Sequence, residues 1–155
     1  MKRYANWQNS IAAIVLMFLV SANALAGDSI RLPDYQQVKL KNGITLVLLE
    51  KRDVRLVSFS AAVRGGLVSE PADKNGVASL VAELLQKGAG ERDAIQFAEA
   101  VDAVGGRFNI SAGSEFIGLN GEFMSRDADL MIGLLADVLL RPRLDEAEFQ
   151  KIQTR

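Results

Sequence analysis

Between Arg55 and Gly88 the spacing of apolar residues changes from two to about 3.6, which limits the folds open to this chain. In RLVSFSAAVRGG, Val57, Phe59, Ala61 and Val63 alternate with Ser58, Ser60 and Arg64, the pattern of a strand with one buried face. In GVASLVAELLQKG, Val77, Leu80, Val81, Leu84 and Leu85 fall at i, i+3, i+4, i+7 and i+8, the inner stripe of an amphipathic helix. Gly65-Gly66 ends the first segment and Gly88 the second. A strand followed directly by a helix is the seed of a mixed fold.

The flanking segments follow the same two periods. YQQVKLKNGITLVLLEKR reads as a β-hairpin turning at Asn42-Gly43, a pair suited to a type I′ turn with positive φ at both central residues. Asp93 is placed to cap a second helix with Gln96, which runs through Phe97, Ala98 and Val101 to Gly105-Gly106. RFNISAGSEFIGLNGEF returns to strand character, broken around Gly113-Ser114. A third helix is expected over 127–140 with Leu130, Leu134 and Val138 inward. A fourth opens at Asp145 with Glu148 as capping partner and buries Phe149 and Ile152. Hairpin links outnumber helical crossovers, so the expected class is α+β with a largely antiparallel sheet.

Chemistry is limited by what is missing. The chain has no His and no Cys. Disulfides, thiolate nucleophiles, imidazole bases and imidazole or thiolate zinc ligands are therefore excluded within it. Lys2 and Arg3, the apolar run IAAIVLMFLV and the small residues of ANALA make residues 1–26 a secretory signal peptide, with a retained N-terminal anchor as the alternative. Export to a bacterial periplasm, or secretion, is the expectation that follows. Loss of that leader removes two cations and no acids, taking the formal charge from −1 to −3. A mildly acidic domain with dispersed Lys and Arg offers no footprint for nucleic acid. Residues 27–155 suit one core, and the last helix reaches Arg155 without Gly, Pro or cap, so a domain incomplete at its C-terminal end is expected.

Ser79 and Glu83 lie one turn apart on the polar side of the Gly76–Gly88 helix, the spacing of a helical pair of metal ligands. The plainer reading makes them solvated residues of an amphipathic helix. Other carboxylates gather into no constellation: Asp127 and Asp129 suit the first turn of a helix, and GERD reads as a helix lead-in.

Taken in order, these segments resemble the N-terminal half-domain of the pitrilysin/insulinase family of zinc peptidases, which includes mitochondrial processing peptidases and respiratory-chain core proteins. The resemblance is carried by the NG hairpin, AAVRGGLVSEPADKNGVASL, VGGRFNISAGSE, LLADVLLRP and DEAEF, and covers nearly all of the chain after residue 26. It implies a two-layer sandwich with helices on one face of the sheet, tandem or paired copies of which close around an unfolded peptide. In active members H-x-x-E-H on the matching helix supplies two zinc ligands and a general base. Here Ser79 stands at the first ligand position, Ala82 at the base and Glu83 at the second ligand position. The family's third ligand, a Glu on the helix beginning at Asp145, would fall beyond Arg155. The resemblance thus implies no catalytic or metal residue and no cofactor in this chain, although active members hold zinc.

Family members bind substrate by strand addition to the sheet edge after the second helix, and Gly105–Glu115 matches that segment. Gly106, Phe108, Asn109 and Ser111 are the candidate peptide-binding residues, against the alternative of an ordinary strand with no visitor. The leading expectation is a non-catalytic member that partners a homologous catalytic subunit or second half-domain. The alternatives are a fragment of an active zinc endopeptidase whose motif lies outside this chain, a purely structural scaffold, and an unrelated exported α+β domain.

Overall fold

The computed structural model describes residues 33–154. The leader expected over 1–26 lies outside the described residues. The chain divides into two compact units, Met1–Lys51 and Arg52–Arg155.

In the first unit, β1 (Gln36–Lys39) pairs antiparallel with β2 (Thr45–Leu48), Lys39 opposite Thr45. The hairpin forms as expected, but its turn differs. The Leu40 carbonyl accepts from the Gly43 N–H at 3.0 Å, and the Leu40 N–H donates to the Ile44 carbonyl at 2.8 Å. The loop is therefore Lys41-Asn42-Gly43, and only Gly43 has positive φ, +89°. A type I turn closed by one left-handed glycine matches the strand twist and spares Asn42 a costly φ. The freed Asn42 Oδ1 accepts from the Ile44 N–H at 3.2 Å.

The second unit runs β3 (Leu56–Arg64), α1 (Val77–Leu84), β4 (Gly88–Ala89), β5 (Arg92–Asp93), α2 (Ala94–Asp102), β6 (Arg107–Ala112), β7 (Phe116–Met124), α3 (Ala128–Leu140) and α4 (Glu146–Gln153). Its main sheet is antiparallel in the order β3-β7-β6. Alternation along each strand sends Phe59, Ile110, Leu119 and Phe123 to one face, where they pack with Ala82 of α1, Phe97 and Val101 of α2, and Met131, Leu134 and Val138 of α3. Leu119, Phe123, Leu134 and Val138 are at most 1 % exposed and form the centre. The opposite face carries the exposed Ser58, Ser60, Arg107, Asn109, Asn120 and Glu122. Helices on one face of an antiparallel sheet is the expected two-layer α+β arrangement.

Several local expectations are revised. The α1 residues most buried are Ala78, Ala82 and Leu84, while Val77 is 36 % exposed. The helix lies beside β6, and small side chains let the two backbones come close. GERD is no simple lead-in: β4 and β5 make a small hairpin, and Ala89 bridges to Pro142 beyond α3. Asp93 and Gln96 form the full capping box of α2. Asp145 does not cap α4 with its side chain, because its carboxylate instead accepts from Arg143 Nε at 2.9 Å, and Glu148 pairs with Lys151 at 2.6 Å. Asp137, inside the apolar stripe of α3, is buried where the β4–β5 hairpin meets that helix. No helix among the described residues is long and apolar enough to cross a membrane.

Candidate functional site: a cavity between α1 and an edge strand

α1 begins where the chain leaves the loop after β3, and a distant side chain sets its start. The Glu70 carboxylate accepts from the Gly76 N–H at 2.9 Å and from the Ala78 N–H at 2.8 Å. Two of the four N–H groups that a helix start leaves unpaired are thereby satisfied. The negative charge also suits that end of the helix dipole. Thus anchored, α1 presents Ser79, Ala82 and Glu83, and the turn after it Gln86 and Lys87, to a cavity of about 410 Å³. Ile110, Ser111 and Ala112 of β6 form its other wall. The three positions matched to the metal motif and the strand matched to the peptide edge therefore meet at one cavity. A second hollow, of about 510 Å³, lies in the hairpin unit among Asp34, Tyr35, Gln36, Leu48 and Glu50 and contains none of the residues singled out from the sequence.

Within the cavity Ser79 is exposed, Glu83 is half-buried and Ala82 is only 2 % exposed at the core boundary. A hydroxyl, a methyl and one carboxylate do not make a zinc site: the hydroxyl is a poor ligand and the methyl neither binds metal nor takes a proton from water. No group of three or more His, Cys, Asp or Glu side chains able to hold a metal ion occurs among the described residues. The donor set does not fit zinc.

The sheet wall is more informative. Paired residues of an antiparallel ladder alternate between bonding across and turning their backbone groups away. The Gly65 N–H to Glu115 carbonyl bond and the Ser125 N–H to Arg55 carbonyl bond set that phase for β3 and β7. Odd-numbered residues of β7 face β3, so Gly118, Asn120 and Glu122 face β6. Their partners Ser111, Asn109 and Arg107 bond inward, in phase with the Gly113 N–H to Phe116 carbonyl bond at 2.8 Å. Phe108, Ile110 and Ala112 consequently direct N–H and C=O away from β7, at the edge of this sheet. One of these outward groups is engaged: Gln86 Nε2 donates to the Ile110 carbonyl at 3.0 Å and to the Ala82 carbonyl at 3.3 Å.

The four candidate peptide residues separate accordingly. Asn109 and Ser111 are exposed on the solvent face. Phe108 offers outward backbone, but its ring is packed 5.4 Å from that of Phe59 and 5.5 Å, edge-on, from that of Phe97. Gly106 precedes the strand, and a Cβ there would lie 2.5 Å from the Phe123 ring, which gives it a packing role. Ile110, Ala112 and Gln86 escaped the sequence reading. The Ile110 side chain is buried in the core, and only the ladder phase shows that its backbone faces outward.

Residues 46–155 match the family model described as Insulinase (Peptidase family M16). The chain belongs to the insulinase family. Among similar sequences are a protein named "uncharacterized zinc protease" from Rickettsia felis, 29 % identical over 113 residues, and one named an uncharacterized zinc protease from Mycobacterium leprae, 32 % identical over 114. These alignments cover 73 % and 72 % of this chain but 27 % and 26 % of the relatives, so the chain spans about a quarter of their length. Among solved structures, a peptidase M16 inactive domain from Pseudomonas fluorescens superposes with a TM-score of 0.72 at 18 % identity, covering 78 % of this chain and 30 % of that one. A protease from Helicobacter pylori gives 0.70 at 24 % identity, covering 79 % and 30 %. At such identities the likeness concerns the fold.

Proposed function

We propose that this chain is a non-catalytic insulinase-type domain, exported to the periplasm, that holds extended peptide and completes the chamber of a homologous catalytic subunit or half-domain. One observation carries this reading: the emptied motif positions and the outward edge of β6 share a single cavity. Backbone at a sheet edge recognises any extended peptide by main-chain hydrogen bonds, and that binding needs neither zinc nor a base. The Pseudomonas structure described as an inactive domain is a precedent for such a scaffold without catalysis.

The test is purification of the full chain, assay with an unfolded peptide, and capture from periplasm. Binding without cleavage, together with co-purification of a relative bearing H-x-x-E-H, is expected. Chelator-sensitive cleavage by the purified chain alone would end this interpretation. Mass spectrometry of the exported protein should find an N-terminus at Gly27. A second reading is favoured by the coverage of only about a quarter of the relatives' length. In it, this sequence is one piece of an active zinc peptidase whose motif lies elsewhere, which the adjoining reading frame would reveal.

A further inference from the structure

Gln86 lies in the turn just after α1, four positions past Ala82, and its carboxamide reaches across the cavity to the edge strand. Both of its N–H donors are committed, one to the Ala82 carbonyl at 3.3 Å and one to the Ile110 carbonyl at 3.0 Å. Ile110 is the central outward residue of the three on β6, and the residue is only 3 % exposed, so the strand is anchored in the core there. A strand added antiparallel to β6 would use the N–H and the C=O of the same outward residue. At Ile110 the acceptor is already taken by an amide that mimics an incoming peptide bond.

We propose that Gln86 is an intramolecular competitor for the peptide edge: it occupies the Ile110 carbonyl, and an extended peptide pairing across Ile110 must displace it. This rests on the peptide-edge reading above and adds a specific restraint to it. The chemistry is symmetrical, since the peptide N–H replaces a side-chain N–H on the same oxygen. Clearing the edge for a strand moves the whole carboxamide, so its second N–H is drawn off the Ala82 carbonyl too. That linkage makes displacement unfavourable relative to an open edge, and it couples peptide arrival to a rotamer change in the turn after α1. Edge strands left open invite unwanted pairing, and a side chain that covers the central acceptor counters that hazard.

The probe is a blocked, fluorescein-labelled decapeptide of alternating Ser and Val, titrated into the full chain by anisotropy. Its analogue N-methylated at alternate peptide bonds is unable to add as a strand. Gln86→Leu keeps the bulk and removes the donors, and it is expected to bind the peptide on the order of 5-fold tighter, the worth of one net hydrogen bond. The N-methylated analogue should bind neither chain. In the wild-type chain, saturation with peptide should shift the Gln86 side-chain amide NMR signals, a readout that needs no variant. Equal affinity of wild type and Gln86→Leu, or unmoved Gln86 signals on saturation, would overturn the competitor role and leave the peptide edge standing. No binding by either chain, or equal binding of the N-methylated analogue, would overturn the edge reading and the competitor with it.

Discussion

The Glu70 carboxylate lies 2.8 Å from the Ala78 N–H, eight positions further along the chain, and the same group holds the Gly76 N–H at 2.9 Å. This contact closes the loop between β3 and α1 and sets where the helix that carries Ser79, Ala82 and Glu83 begins. Glu70→Ala should lower unfolding free energy by about 1–2 kcal/mol, the usual worth of a helix cap. Glu70→Gln, which keeps one acceptor, should lose less. Urea unfolding followed by circular dichroism measures both, and an unchanged midpoint for Glu70→Ala would refute the capping role.

Asp137 pairs with Arg141 Nη2 at 2.5 Å at the end of its own helix, and ties α3 to the β4–β5 hairpin through Arg92 Nη1 at 3.4 Å. Both guanidiniums are more than a third exposed, so solvent screens the pairs, and Asp137→Asn should lower the urea midpoint only slightly. The hydrogen bond to Asp137, then its charge, holds the Arg141 guanidinium above its ordinary value. A cation with a raised folded-state value contributes stability below its unfolded value and loses it as pH rises through the folded one. Both values lie at strongly alkaline pH, so this group adds no pH dependence near neutrality. A stability difference between wild type and Asp137→Asn that changed steeply from mildly acidic to mildly alkaline buffer would contradict this account.

Gly106 and the Phe123 ring fit together, since a Cβ at Gly106 would lie 2.5 Å from Phe123 Cε1. Gly106→Ala should destabilise by roughly 1–3 kcal/mol through overpacking. Phe123→Leu in that background should recover part of the loss, giving a favourable coupling in a double-mutant cycle. Strict additivity would remove the packing explanation and return Gly106 to the list of ligand-facing residues.

Zinc should bind the full chain only substoichiometrically after dialysis against micromolar metal, measured by elemental analysis. Ser79→His with Glu83→His should raise zinc uptake, since two imidazoles one turn apart form a helical metal pair. Restoring Glu at position 82 as well should yield little hydrolysis while a third ligand is missing. Full occupancy of the wild-type chain, lost in Glu83→Ala, would reverse the assignment of an emptied site.

Local chemistry was readable from the residues alone. The Asp93–Gln96 capping box, the break at Gly113-Ser114 and the alternation along β3 and β7 depend on neighbours within a few positions, and each appears where the residue pattern put it. The absence of imidazole and thiolate ligands, and the Ser79, Ala82 and Glu83 triplet, likewise needed no coordinates. Long-range partners depend on three dimensions. Glu70 reached its helix across a loop, Asp145 turned to Arg143 instead of its own helix start, and Asp137 was buried by a hairpin some 45 positions away. Whether Ile110 turns its carbonyl toward β7 or toward Gln86 is a matter of ladder phase, which arises only when a second strand takes its register. A residue's identity sets what its side chain can donate or accept, and the packed fold alone selects which groups come within reach.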